Sequence, residues 1–312
     1  MIINLAQNKN LKLFKIISEV ASRNGQSVYA VGGFVRDLVM KRKVPTDIDF
    51  VTESSGIDLA EAIAREIDPK TKVAIFKTYG TAMFRYKELE LEFVGARKES
   101  YSEDSRKPSV EIGTIEDDQK RRDFTINAMA ISLNKENFGE LIDPFDGLGD
   151  LNRKILKTPL EPHQTYSDDP LRMMRAIRFA TTLDFTIEEN SLKAIREEAE
   201  RMKIVSMERI MVEFNKIMLS DKPSKGLKLL EETSLLQYIL PELTALKGIE
   251  DIDGQTHKDN FYHTLAVVDN ITENTDKLWL RWSALLHDIG KAPTKKFVEG
   301  IGWTFHGHAF LG

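Results

Sequence analysis

Apolar residues between positions 9 and 24 recur with helical spacing: Leu11, Phe14, Ile17, Val20 and Ala21 share one side, and Asn24-Gly25 supplies the stop. The period then shortens. SVYAV followed by GGFVRDLVM reads as a strand, a glycine turn and a helix. In VPTDIDFVT, residues 44–52, the apolar positions suit a buried strand that carries Asp47 and Asp49 on one face. Their side chains leave the strand about 6–7 Å apart. An unneutralised pair of that kind repels itself, so either the strand lies at a wet edge or something positive sits between the acids.

Further on, DLAEAIAREI reads as a helix, and KVAIF, GTAMFRY and LELEFVGA as strands; FTINAMAISL and LIDPFDGLGDL close a mixed region near residue 150. RKESYSEDSRKPSVEIG, Ser-rich and poor in apolar residues, reads as the most loop-like stretch of that region. From about residue 163 nearly every segment has helical period, including DPLRMMRAIRFATTL and SMERIMVEFNKIML. The expected fold class is α+β: a mixed sheet with flanking helices, followed by an all-helical body.

Length and composition narrow the setting. A chain of 312 residues points to two or three domains, and 41% hydrophobic with 30% charged residues is ordinary for a globular protein. The absence of cysteine removes disulfide partners and thiolate metal sites. The opening MIINLAQNKNLKLF is too broken by polar residues for a signal peptide or membrane span, so a cytoplasmic protein with no membrane partner is expected. A net charge of -5 does not advertise nucleic-acid binding, although it hides local basic clusters.

Four clusters carry chemistry. Gly32-Gly33, with Arg36 one turn into the helix, can face an anion, although a bare Gly-Gly is more often only a tight turn. Asp47 and Asp49 follow at the spacing that brings a second strand beside the first, and Mg²⁺ between them and a phosphate would resolve their repulsion. Arg121 and Arg122 beside Asp123, with Asn127 adding a hydrogen bond, suit a triphosphate; alone, the trio would be a surface ion pair. Asp168-Asp169-Pro170 reads as a helix start, after which Arg172, Arg175 and Arg178 form a basic stripe that in most helices is a solvated face.

Taken in order, these strings resemble the polymerase-β-like nucleotidyltransferases, specifically the class II tRNA nucleotidyltransferases (CCA-adding enzymes) and bacterial poly(A) polymerases. RRDFTINAMA (121–130), DPFDGLGDL (143–151), DDPLRMMRAIRFA (168–180) and SMERIMVEFNKIM extend the match. The resemblance implies template-independent addition of CCA to the 3′ end of tRNA from CTP and ATP. Two Mg²⁺ ions would be held by Asp47 and Asp49, with Glu92 as a nearby third acid. Gly32, Gly33, Arg36, Arg121, Arg122, Asn127, Arg175 and Arg178 would hold the nucleotide, and Asp169 and Arg172 would act as a protein template for the base. Asp168 stands where the family commonly has Glu, and Gln119 where it usually has an apolar residue.

The loop-like stretch, with Tyr101, Arg106 and Pro108, matches the flexible loop of members able to add A. A-adding tRNA nucleotidyltransferase and poly(A) polymerase share the other motifs and are the alternatives. The tRNA acceptor stem would meet the body through phosphate contacts, for which Lys193, Arg196, Lys203, Arg209 and Lys216 are candidates.

THKDNFYHTLAVV and LLHDIGK resemble the HD superfamily, with His263, His287 and Asp288 matching the first three ligands of a divalent metal. His306 and His308 resemble its further histidines, Ala309 stands where an acid often occurs, and the final aspartate is missing because the chain stops at Gly312. A truncated HD domain is therefore expected. An HD phosphohydrolase with a regulatory nucleotide-binding domain is the reading of a different class. The expected organisation is an N-terminal helix (1–25), the nucleotidyltransferase head (26–150), the helical nucleotide- and tRNA-binding body (151–250) and a partial HD domain (251–312).

Overall fold

A computed structural model describes residues 1–5, 8–102 and 105–312, and of 98–102, 105–110 and 112 the backbone only. The chain divides into two compact units, Met1–Glu161 and Pro162–Gly312.

In the first unit, the stripe of Leu13, Phe14, Ile17 and Val20 drives α1 (Leu11–Arg23) into the core, and Gly25 at φ 65° takes the chain out of it. There follow β1 (Tyr29–Val31), α2 (Gly33–Val39), β2 (Asp47–Thr52), α3 (Gly56–Ile67), β3 (Ala74–Phe76), β4 (Thr81–Tyr86) and β5 (Leu89–Gly95). Next come β6 (Arg97–Ser102), β7 (Ser105–Ile112), α4 (Ile115–Lys120), α5 (Thr125–Ala128), β8 (Ala130–Ser132), β9 (Leu141–Ile142) and α6 (Gly147–Arg153). Seven strands form one mixed sheet in the order β3-β4-β5-β2-β1-β8-β9. Within it β2 runs parallel to β5 and antiparallel to β1. The Asp-bearing strand is thus central, which rules out the wet edge.

The two faces of that strand differ. Ile48 and Phe50 are fully buried, and Phe50 stacks on Phe93 at 4.8 Å and meets Phe14 edge-on at 6.4 Å. Each such buried ring stabilises the fold by roughly 1.5–3 kcal/mol. On the other face Val51 joins Tyr29, Val31, Ala96 and Ala130 in a small apolar cluster, while Asp47 and Asp49 are exposed. The core holds the strand from behind and from its far end, leaving the acids in the open.

One expectation is corrected. The stretch read as a loop is an antiparallel hairpin, β6 with β7, paired from Arg97↔Ile112 to Ser102↔Ser105. These two strands pair only with each other, and the stretch holds few apolar residues, so the sequence shows no alternation from which strands could be read. Tyr101, Arg106 and Pro108 lie outside the described side chains.

The second unit is mainly helical: α7 (Pro162–Asp168), α8 (Leu171–Thr182), α9 (Glu189–Glu198), α10 (Met207–Met218), α11 (Pro223–Glu232), α12 (Leu236–Ile239), α13 (Pro241–Thr244), α14 (Asn260–Thr272) and α15 (Leu278–Leu286). Asp168 ends α7 instead of opening the next helix, and Pro170 caps α8. Two short helices meet where the sequence reads as one start. Arg281 ties α15 to the end of α10, donating to Met218 O at 2.7 Å and Ser220 O at 2.8 Å. No helix among the described residues is long and apolar enough to cross a membrane.

Candidate active site

Gly32 leaves β1 at φ 73°, a backbone state that other residues adopt only with strain. A Cβ there would lie 3.3 Å from Arg122 Nη1 and 3.4 Å from Asp49 Oδ2, so an acid from β2 and a base from the turn after α4 both close on this glycine. In the ladder Asp49 sits beside Glu92 and Asp47 beside Glu90. Neighbouring strands are about 4.8 Å apart, so four carboxylates share one patch of the sheet.

The patch is only partly relieved by positive charge. Asp49 is open at its tip, yet partial desolvation by the surrounding walls pushes its pKa up, Arg122 pulls it down, and Asp47 and Asp118 push it up again; the net shift is upward. Glu92 is raised by desolvation first and by Asp49 next. Among the described residues, no Lys or Arg nitrogen lies within 4.0 Å of the carboxylate oxygens of Asp47 or Asp49. An all-oxygen donor set on a rigid strand, short of positive charge, fits a hard divalent cation such as Mg²⁺.

The basic side of the site depends on a residue that the sequence reading passed over. Asp118, fully buried on α4, accepts from Arg122 Nε at 3.0 Å and Nη2 at 2.9 Å through Oδ2, and from Arg121 Nε at 2.9 Å through Oδ1. Burial alone would raise its pKa, but Arg122 and then Arg121 override this and lower it. Both arginines therefore pair with Asp118, a residue outside the trio that the sequence singled out. The signal was present, because Asp118 stands three and four residues before them. Asp123 accepts from Phe124 N at 2.9 Å and Asn127 Nδ2 at 3.1 Å.

Arg36 is buried and engaged. Its Nε and Nη2 donate to Asp37 at 2.9 Å each, and its Nη1 donates to Asn127 Oδ1 at 2.8 Å. Arg36 and Asn127 thus form a hydrogen-bonded chain running from Asp37 to Asp123, and Arg122 Nη1 reaches Asn127 O at 3.4 Å. The DPFDGLGDL string supports this region from behind: Asp143 accepts from Gly147 N at 2.7 Å and Leu148 N at 2.9 Å, and Asp150 accepts from Thr125 Oγ1 at 2.7 Å. Any side chain at Gly147 would overlap the Thr125 carbonyl.

In the second unit, Asp169 accepts from Leu171 N at 3.3 Å and pairs with Arg209 Nη2 at 3.6 Å. Arg172 donates to Thr165 O at 3.4 Å. Arg175 and Arg178 lie 5.6 and 3.4 Å from the Phe179 ring centre, and Arg178 Nε holds Glu213 at 2.7 Å. Burial opposes the charge on Glu213, but Arg178 and Lys216 prevail and its pKa is lowered. The proposed phosphate contacts are all internally paired: Lys193 with Glu197, Arg196 with Glu232, Lys203 with Glu200, Arg209 with Asp169 and Lys216 with Glu213.

Farther along, one atom each from His263, His287 and Asp288 lie within 4.8 Å of one another. His287 Nε2 is 3.1 Å and His308 Nε2 3.7 Å from Asp288, while the Nδ1 atoms of both rings lie 2.8 Å from backbone carbonyl oxygens. Such carbonyl bonds turn the Nε2 lone pairs inward, the arrangement a metal needs. Lys291 Nζ, 2.6 Å from Asp288, competes for the same carboxylate. His306 is exposed and, among the described residues, makes no ion pair with Asp288.

Comparison with known proteins agrees with this geometry. Residues 28–157 match the poly A polymerase head domain, 184–247 a probable RNA and SrmB-binding site of polymerase A, and 260–312 the HD domain. The chain is 34% identical over 282 residues to a CCA-adding enzyme of Anoxybacillus flavithermus, covering 90% of this chain and 65% of that protein. It is 32% identical over 298 residues to an A-adding tRNA nucleotidyltransferase of Aquifex aeolicus, covering 91% of this chain and 34% of that one. It thus spans between about a third and two thirds of the length of these relatives. A solved tRNA nucleotidyltransferase, complexed with a primer tRNA and an incoming ATP analog, superposes with a TM-score of 0.69 at 31% identity, over 86% of this chain and 75% of that one. The chain belongs to the family of tRNA nucleotidyltransferases and poly(A) polymerases that share the poly A polymerase head domain.

Proposed function

We propose that the protein completes the 3′ end of tRNA by adding CCA from CTP and ATP without a nucleic-acid template. The observation that carries this reading is the convergence of Asp49 and Arg122 on Gly32, with Asp47 and Glu92 beside them. It sets a carboxylate patch against a guanidinium pair, as transfer of a nucleotidyl group from a triphosphate requires. In the reaction the tRNA 3′-hydroxyl attacks the α-phosphate, the bond to the β-phosphate breaks, and pyrophosphate leaves.

Asp47 and Asp49 would hold two Mg²⁺ ions, with Glu92 as the third acid beside them. When bound, the metal lowers the pKa of the attacking hydroxyl and offsets charge on the phosphates. Arg121 and Arg122, pinned by Asp118, present their outer N–H groups to the β- and γ-phosphates and to the departing pyrophosphate. Gly32-Gly33 lets the backbone approach the triphosphate closely. Arg36 holds Asn127 in place, so its part is to shape the turn. Asp169 and Arg172 offer an acceptor and a donor to the base edge, and Arg175 extends the basic side; Arg178, committed to Glu213, fixes the helix.

On this reading the head spans 26–150, the body 151–250 and the HD segment begins at 251. A divalent ion at His263, His287 and Asp288 is a separate proposal, supported by the closeness of these three groups and by the carbonyl bond that orients the His287 ring. The relatives include an A-adding enzyme, so A addition alone is the second reading. Supplying a tRNA that lacks its last three nucleotides with CTP and ATP together or singly separates the two: growth by two residues with CTP alone supports CCA addition, and growth only on a CC-ended tRNA with ATP supports the alternative.

A further inference from the structure

The sheet that carries the carboxylates ends in an edge that the reaction as described does not use. Along one row of the ladder Ala74 faces Met83, Met83 faces Glu92 and Glu92 faces Asp49. Side chains alternate along a strand, so Phe76, two residues after Ala74, lies on the same face as Glu92 and Asp49. Phe76 is 46% exposed and Tyr79, in the short 3₁₀ turn Lys77–Tyr79 that follows, is 66% exposed. Neither ring has an aromatic partner among the described residues.

The charges nearby differ from those of the helical body. Lys70, Lys72 and Lys77 are exposed and, among the described residues, form no ion pair within 4.0 Å. The five candidate phosphate contacts of the body are all paired with acids, as given above. Exposed aromatic rings interleaved with unpaired lysines are the means by which proteins hold single-stranded nucleic acid: the rings stack on bases and the cations track the backbone.

We propose that Phe76, Lys77 and Tyr79 form a stacking platform for unpaired nucleotides of the RNA whose 3′ end is being extended. This rests on the nucleotidyltransferase reading above. The spacing is consistent with it. β3 lies three strands from β2, about 14 Å at 4.8 Å per strand, a distance short enough for a few unpaired nucleotides to cross. The platform therefore meets the few bases upstream of the reacting end, while the triphosphate is held on the other side of Asp49. Its recognition is sequence-tolerant, since every base has a face to stack.

The test is steady-state kinetics on tRNA with Phe76→Ala, Tyr79→Ala, the double variant and Phe76→Trp. The alanine variants are expected to raise KM for RNA by roughly 5- to 100-fold, with KM for CTP and kcat at saturating RNA unchanged. Phe76→Trp should retain the wild-type KM, which separates loss of stacking from loss of fold. An RNA duplex whose 3′ end has no unpaired nucleotides should bind all variants equally. An unchanged RNA KM in the double variant of an active enzyme overturns the platform alone. The same result accompanied by a changed oligomeric state would mark the edge as a protein contact and also overturns it. A wild-type protein that extends no RNA overturns the transferase reading and the platform together.

Discussion

Arg122 grips the buried carboxylate of Asp118 through both Nε and Nη2, at 3.0 and 2.9 Å, while its Nη1 reaches toward the turn at Gly32. One guanidinium thus spans from the interior to the substrate side. Replacing Asp118 by Asn would leave two arginines facing a neutral buried amide. The expected result is destabilisation by about 2–4 kcal/mol and a raised KM for both CTP and ATP, measured by urea denaturation and steady-state kinetics.

The same pair sets a pH dependence. The folded pKa of Asp118 is depressed, so its contribution is fully present above the unfolded value, near 3.9, and is lost as pH falls through the lower folded value. The stability gap between wild type and Asp118→Asn should be constant from pH 6 to 8 and close only in strong acid. A gap that closes already near pH 6 would mean that the pair is not what holds the clamp.

Asp49 behaves in the opposite sense. Its pKa is raised in the fold, chiefly by desolvation, so its charge costs stability at neutral pH and that cost is relieved as pH falls through the raised value. Asp49→Asn is therefore expected to keep or slightly increase the thermal midpoint while reducing kcat on the order of 10³-fold, the scale of several kcal/mol of transition-state stabilisation. Loss of stability together with activity would argue that Asp49 is structural.

Much of this site was legible because its sequence signals are local. Gly32-Gly33, the Asp47/Asp49 alternation and Arg121-Arg122 each lie within one turn or strand, where the period fixes the direction of side chains. Asp118 was missed because it stands in Glu116-Asp117-Asp118, which reads as an ordinary acidic first turn; only packing shows which of the three is buried. The β6–β7 hairpin escaped because its Ser-rich, charged sequence carries no apolar alternation. The contacts of Arg36 with Asn127, Arg196 with Glu232 and Arg209 with Asp169 are long-range and no spacing encodes them, whereas Lys193, Lys203 and Lys216 pair at helical i,i+3 or i,i+4 spacing that was open to reading; the exposure of Phe76 shows only once the sheet order puts β3 at the edge.

In the helical unit, Arg178 and Arg172 should respond differently. Arg178→Ala removes the partner of buried Glu213 and should cost about 2–3 kcal/mol of stability, whereas Arg172→Ala and Asp169→Ala should leave stability within about 0.5 kcal/mol and relax discrimination between CTP and ATP. Thermal unfolding and competition between the two nucleotides would read both effects. Unchanged selectivity in the Arg172 and Asp169 variants would refute the base-reading role.

At the histidine cluster, Lys291 occupies the carboxylate that a cation would need. Lys291→Met is expected to strengthen binding of Mn²⁺ several-fold by calorimetry, and His287→Ala to abolish it. Equal Mn²⁺ affinity in both variants and wild type would remove this site from consideration.

The most direct measurement is to incubate the protein and Mg²⁺ with tRNA lacking its terminal three nucleotides, supply CTP and ATP, and sequence the added residues. Addition of C, C and A, with growth then stopping, is the expected result. No incorporation, or a run of A alone, would contradict the proposed function.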